Sequence, residues 1–356
     1  MKHAGKALFG LAVTAVLLWW ALRGVSLGAV WAQIRQGDPL LLLAAVAVST
    51  FGFVIRALRW KVLLTPVRPN TAFRSRLAAV SIGFMANNVL PARVGEFARA
   101  YALSRLEPVS AGAAFGSLVV ERFLDGVVLL LLLTIPPLTP GFPSSGALSE
   151  GLGVVILRGG ILAVVVVMIG LGLMAVWPRS FVRTAERAAS RLPGPMARRA
   201  VDALEALLDA IAVLRSPRLL ALGLLWTLGF WLFNGLSFWL GMLAFGIDTG
   251  LVSAWFTQAV VAFGVAIPSA PGFVGTFHAS ANFALSNVYG VEEARSLAFA
   301  FGYHFGGWIP ITVIGLAYAW KLGLSLGDVG SSDELVEEVI EGEHPEARRA
   351  LGRTEV

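Results

Sequence analysis

An all-α, polytopic membrane helix bundle is the fold class this sequence predicts, on three observations. Hydrophobic residues make up 57% of the chain and charged residues only 14%, too apolar a balance for a soluble chain of this length. The apolar residues gather into runs of the roughly 20 residues a helix needs to cross about 30 Å of hydrocarbon. The connections between those runs are either strongly basic or nearly uncharged, as the loops on the two sides of a membrane are.

Taken in order, the crossing-length runs cover residues 6–22, 39–58, 111–138, 154–177, 218–245 and 293–320, which gives about six full crossings. Lys2 and Lys6 stand before the first run in the manner of a signal peptide, but no small-residue cleavage site follows, so a retained helix is expected. Between Arg59 and Arg76 lie five basic and no acidic residues, and between Pro178 and Arg218 eight arginines face four acids. Both connections, and with them the two termini, are expected on the cytoplasmic side. The segments 139–153 and 246–250 carry only Glu150 and Asp248, and are expected outside.

That assignment constrains two interrupted apolar stretches, 77–105 and 251–285, each of which must end on the side where it began. Each is expected to dip in and return, from opposite faces, as the broken helices of inverted-repeat transporters do; paired short crossings are the alternative. The connection 178–217 spaces Arg179, Arg183, Arg187 and Arg191 every four residues and reads as a basic amphipathic pair on the inner leaflet. Residues 1–322 thus form the transmembrane unit. Residues 323–356, with nine acids against three arginines, read as a disordered cytoplasmic tail.

Composition also excludes functions. Cysteine is absent, and no HExxH, GxSxG, GxGxxG or Cys/His metal spacing occurs, so no cofactor or metal and no conventional catalytic site is expected. The basic balance of so apolar a chain points to anionic lipid and not to nucleic acid.

The candidate chemistry sits where charge meets hydrocarbon, because a charged side chain at membrane depth costs roughly 2.5–3.5 kcal/mol and is seldom kept without a task. In the first interrupted stretch Asn87, Asn88, Pro91 and Gly95 break the helix, and the two amides can satisfy the freed backbone. Beyond the break Arg93, Glu96 and Arg99 fall at i, i+3 and i+6, so the glutamate can pair with either arginine. Glu121, Arg122 and Asp125 follow on the next crossing, with Glu121 about 15 Å along a helix that starts at Ala111. Three arginines and three carboxylates make a formally neutral set. Arg93, Arg99 and Arg122 are the candidate headgroup ligands, since the guanidinium fork matches phosphate bidentately, and Glu96, Glu121 and Asp125 hold them in place. A closed salt-bridge network that only pins the two segments together is the other reading. The second interrupted stretch carries Pro268, Pro271, Gly272 and Gly275, a hairpin beside His278. His278 and His304 read as hydrogen-bonded structural residues.

The ordered motifs Asn88-x-x-Pro91-x-Arg93-x-Gly95-Glu96-x-x-Arg99, Glu121-Arg122-x-x-Asp125 and Pro271-Gly272-x-x-Gly275 resemble the lysylphosphatidylglycerol synthase transmembrane-region family, the flippase-like membrane proteins, over about residues 6–322. The resemblance implies a helical bundle with re-entrant segments in a bacterial or archaeal cytoplasmic membrane and a role in moving lipid between leaflets. Phe273 and His278 stand where the family often has a second glycine and a glutamate. The chain ends about 35 residues after its last helix, without the aminoacyltransferase domain of the bifunctional synthases, so it is not expected to make lysyl-lipid.

The function expected is therefore that of a non-enzymatic translocase for an anionic phospholipid or a polyprenyl- or glycosyl-phosphate lipid. Membrane lipids would be its partners, with a homo-oligomer or an envelope-synthesis partner possible. An enzyme acting on a lipid phosphate, with Glu121 or Asp125 as general base, and an accessory subunit of envelope lipid synthesis are the alternatives.

Overall fold

The computed structural model describes residues 2–90, 93–139, 142–143, ten positions between 162 and 184, and 216–332. Most of the expected crossing at 154–177 and of the basic pair at 178–217, together with Pro91 and the tail from 333 onward, lies outside the described residues. Among the described residues the chain is helical without strands. Eleven helices are formed, and we number them α1 (Lys2–Leu22), α2 (Leu27–Gln36), α3 (Pro39–Leu64), α4 (Phe73–Val89), α5 (Gly95–Leu106), α6 (Ala111–Thr134), α7 (Pro217–Ala244), α8 (Gly250–Gly264), α9 (Thr276–Asn282), α10 (Glu293–Lys321) and α11 (Leu326–Gly330).

Local sequence sets most of their boundaries. Asp38 caps α3 by accepting from the amides of Leu40 and Leu41 at 2.8 and 3.1 Å, with Pro39 at the first helical position. Ser216 and Pro217 repeat the arrangement on α7, and Ser26 and Ser110 cap α2 and α6. Such caps are each worth about 0.5–2 kcal/mol, and proline at the first position gives up an amide that had no partner in any case.

Helices α3, α7 and α10 are long and apolar enough to cross a membrane, and α1 with α2 forms a pair bent by 80° that passes the same test jointly. Helix α6 is also long enough, yet every 18-residue window in it contains Glu121, Arg122 and Asp125. Helices α3 and α7 pack along each other, and Ser237 of α7 donates to the Ala45 carbonyl of α3 at 2.7 Å and meets the Tyr303 hydroxyl of α10 at 2.7 Å.

The two interrupted stretches are antiparallel helical hairpins. In the first, the amide of Ala72, ahead of α4, donates to Glu107 just past α5 at 2.9 Å, while Gly83 faces Gly95 and Arg99 farther up. The chain therefore returns to the end of the bundle it left. In the second, Gly264 of α8 meets Thr276 and Ser280 of α9, and Phe256 lies 5.8 Å from Tyr289, which follows the six-residue π turn Phe283–Val288. The first opens where α3 and α10 finish and α6 begins, with Leu64, Val109 and Ala319 in one core cluster. The second opens at the other end, where Phe142 beyond α6 touches both Phe256 and Tyr289. Their tips meet between those ends.

Candidate functional site

At the meeting of the tips the backbone cannot continue its helical hydrogen bonds, and a low-dielectric interior would charge several kcal/mol for each unpaired group. Polar side chains from other elements answer several of them. Asn87 accepts from the Gly95 amide at 2.9 Å across the first tip. Arg93 donates to the carbonyls of Ala266 and Ile267 at 2.8 and 3.0 Å, the last carbonyls beyond α8, and its guanidinium lies 5.1 Å from the Phe273 ring. A cation at a helix C-terminus is favoured by the helix dipole as well. Thr14 of α1 accepts from Ala270 at 2.9 Å and donates to Val274 at 3.0 Å, holding the second tip from behind. Both tips turn through the left-handed region, at Arg93 (φ 58°) and Phe273 (φ 59°) as well as at Gly272 and Gly275.

Below the tips, toward the open end of the first hairpin, lies a cluster of charges centred on Glu121. One oxygen, Oε1, has four guanidinium groups within 4 Å: Arg99 at 2.7 Å, Arg122 at 2.8 Å, Arg59 at 2.9 Å and Arg56 at 3.8 Å. Oε2 accepts a second bond from Arg99 at 3.0 Å, which makes that pair bidentate. Asp125, one turn on, accepts from Arg59 at 2.5 Å and from the Trp231 indole at 2.9 Å, and lies 3.5 Å from Arg122. Glu121, Arg59, Arg99 and Asp125 are buried, as is Arg56, whereas the Arg122 side chain is 43% exposed.

Aromatic faces complete the enclosure. Arg99 lies over Trp60 at 3.9 Å and Arg56 over Phe230 at 4.0 Å, arrangements worth about 2 kcal/mol when desolvated. Trp60 is in turn fixed by its bond to Ser117 at 2.9 Å, and Arg59 also reaches Thr227 at 3.3 Å. Arg56 Nη1, Arg59 Nε and Arg99 Nε are buried with no hydrogen-bond partner among the described residues.

Of the expected site residues, the structure brings together Arg99, Glu121, Arg122 and Asp125. Arg93 is not in that cluster, because the left-handed turn at its own backbone sends it across to the second hairpin. Glu96 makes no ion pair with Arg93 or Arg99 among the described residues; its carboxylate faces Asn87 Nδ2 at 3.4 Å. Asn88 reaches Thr312 of α10 at 2.8 Å. Pro268, Pro271, Gly272 and Gly275 shape the second tip, where Gly272 contacts Trp308 and the Asn88 carbonyl. His278 is buried, accepts from the Gly275 amide at 3.3 Å and stands 5.1 Å from the His304 ring, which stacks on Phe277.

Arg56 and Arg59 are the residues that the sequence alone did not single out. Arg56 lies within the apolar run 39–58 and Arg59 opens the basic connection after it, but α3 continues to Leu64 and carries both inward. The expected neutrality of the set is corrected with them: four arginines contact two carboxylates, leaving two positive charges in excess. The signal for Arg56 and Arg59 was their spacing of three, which places both on the face of α3 that also buries Gly52, Ala45 and Leu63.

Comparison with known proteins agrees with this architecture. The profile described as lysylphosphatidylglycerol synthase TM region matches residues 7–315. A UPF0104 membrane protein of Methanothermobacter thermautotrophicus is 29% identical over 139 residues, 38% of this chain and 40% of that protein. A UPF0104 membrane protein of Methanocaldococcus jannaschii is 34% identical over 95 residues, 26% and 28% of the two chains. A Haloferax volcanii protein named glycosyltransferase AglD is 27% identical over 145 residues, 40% of this chain and 22% of that one. The chain thus spans between 22% and 40% of the length of these relatives. No solved structure matches it. With a profile that covers most of its length and a bundle of apolar helices, this chain belongs to the family of the lysylphosphatidylglycerol synthase transmembrane region and is a multi-pass membrane protein.

Proposed function

We propose that this protein is a non-enzymatic lipid translocase of the cytoplasmic membrane, binding an anionic phospholipid or a polyprenyl- or glycosyl-phosphate lipid at the arginine cluster around Glu121. The observation that carries this reading is the excess of two positive charges among Arg56, Arg59, Arg99 and Arg122, of which all but Arg122 are buried, over Glu121 and Asp125. A buried charge without a counter-charge is expensive, and an anionic headgroup is the counter-charge a membrane supplies. Arg122, at the exposed edge, receives the headgroup; Arg59 and Arg99, tied to the carboxylates, are its fixed support.

The positive-inside rule orients the cluster toward the cytoplasm, at the end where the first hairpin opens. Both hairpins are then re-entrant, from opposite faces, and their joined tips form the barrier that must part for a headgroup to pass. Arg93 is the latch of that barrier. A general-base role is disfavoured for Glu121 and Asp125, since their oxygens already accept from guanidinium groups and from Trp231.

The test is transport of a fluorescent anionic lipid in vesicles reconstituted with purified protein. Arg122→Ala and Arg56→Ala, each shown to insert and melt as the parent does, are expected to lower the rate by about tenfold or more, the loss of one charge-assisted contact. Parental rates in both variants would overturn the assignment.

A further inference from the structure

The charge count at the cluster says more about the headgroup than that it is anionic. The four contacting arginines and two contacting carboxylates leave two positive charges. The next charged residues toward the tips, Arg93 and Glu96, are one of each sign, and so are Arg76 and Glu107, the next toward the open end that are not exposed; Lys61, Arg68, Arg74, Arg105 and Arg218 there are exposed. Arg76 is bound to the Ala57 carbonyl and to Thr71, and Glu107 to the Ala72 amide. Among the charged groups that are not exposed, widening the boundary therefore leaves the excess at two.

The donors that a ligand would meet are also two. Arg59 is shared between both carboxylates, and Arg99 is engaged bidentately. Arg56 Nη1 is buried, lies 3.8 Å from Glu121 Oε1 and has no hydrogen-bond partner among the described residues. Arg122 bonds the same oxygen at 2.8 Å with its side chain 43% exposed. Since both reach one oxygen, no more than the sum of those two distances separates their nitrogens, a span that one phosphate group can bridge. The rings of Phe230 and Phe84 confine the Arg56 guanidinium, whose carbon lies 4.0 and 4.9 Å from their centres, before anything binds.

We infer that the cluster is built for a terminal phosphate bearing two negative charges, a phosphomonoester or diphosphate at the end of a lipid, in preference to a phosphodiester headgroup, with Arg56 and Arg122 as the two forks. A phosphomonoester offers three terminal oxygens and a charge of about −1.5 to −2 near pH 7. A phosphodiester offers two non-bridging oxygens and a single charge, and would leave one of the two excess charges unmatched. This inference rests on the lipid-binding reading proposed above and narrows its substrate class.

The experiment titrates purified full-length protein in neutral detergent with phosphatidic acid, with phosphatidylglycerol of the same acyl chains, and with glycerol 3-phosphate, reading binding by calorimetry and native mass spectrometry. Phosphatidic acid is expected to bind tighter than phosphatidylglycerol by roughly tenfold or more, the effect of one further charge facing two guanidinium groups at a protein-like effective dielectric. Arg56→Gln and Arg122→Gln are each expected to bring the two lipids to similar affinity. Equal affinities in the parent, or tighter phosphatidylglycerol, overturn the dianion inference while leaving an anionic-lipid site standing. Binding of neither lipid overturns both. Glycerol 3-phosphate binding as tightly as phosphatidic acid supports the dianion and overturns a lipid as its carrier.

Discussion

Replacing Glu121 by glutamine keeps the shape of the side chain and removes the one charge that four guanidinium groups share. Its Oε1 lies 2.7–3.8 Å from nitrogens of Arg99, Arg122, Arg59 and Arg56, and the group is fully buried. After the change Asp125 alone faces the four, and the excess rises from two positive charges to three. Removing one partner of a buried ion pair costs about 3–5 kcal/mol. At about 2 °C per kcal/mol, the lower end of the range for domains of roughly 150–250 residues, the melting midpoint falls by roughly 6–10 °C.

The assay is thermal unfolding of detergent-purified protein followed by size exclusion. Glu96→Gln is the control, because Glu96 has no guanidinium within 4 Å among the described residues and an amide preserves its contact with Asn87; its shift is expected within about 1 °C, as for a substitution away from any buried pair. Combining Glu121→Gln with Arg99→Gln returns the excess to two and is expected to recover part of the loss. The reasoning is refuted if Glu121→Gln melts with the parent, or if Glu96→Gln is as damaging.

Three further outcomes follow from the tips. Arg93→Ala removes two charge-assisted bonds to the Ala266 and Ile267 carbonyls, each worth about 1.5–3 kcal/mol; maleimide labelling of a single cysteine at position 267, clean in a chain without native cysteine, is expected to speed up severalfold. Gly95→Ala drives a methyl group into the Gly83 carbonyl and the Asn87 amide, an overpacking of about 1–3 kcal/mol, read as reduced folded yield, with Gly307→Ala, whose added carbon has only Ser49 Oγ at 3.8 Å, as the tolerated comparison. Thr14→Val strands the Ala270 amide and the Val274 carbonyl at about 1–3 kcal/mol for a buried unsatisfied group, and hydrogen exchange at Ala270 should rise while that in α3 stays unchanged.

The relation between the two hairpins and the charge cluster explains why a broken backbone and a charged helix occur together. The first hairpin supplies Arg99 to Glu121 from α5 and Arg93 to the second hairpin from the turn before α5. Six residues thus connect the cluster to the joined tips, with the close packing of Gly83 on Gly95 and Arg99 between them. In the lipid-binding reading proposed above, a headgroup that draws on the cluster would act on the same short helix that Arg93 anchors.

What the sequence by itself determined is whatever depends on neighbours along the chain. Hydrophobic length set α3, α7 and α10; aspartate or serine before proline set where α3 and α7 begin; proline and glycine set the breaks between Val89 and Gly95 and between Gly264 and Thr276, although α4 runs on through Asn87 and Asn88. The spacing of Glu121, Arg122 and Asp125 likewise placed three charges within one turn and a half of helix. Tertiary structure alone decided which charges meet. The bonds from Arg59 to Asp125, Trp231 to Asp125 and Arg93 to Ala266 join residues 66, 106 and 173 apart in sequence, and periodicity carries no information over such separations. Arg56 and Arg59 show the physical reason most directly: beside an apolar run a basic pair has the same pattern whether it ends in water or turns inward, and only the packing of α3 against α6 and α7 puts two carboxylates within reach.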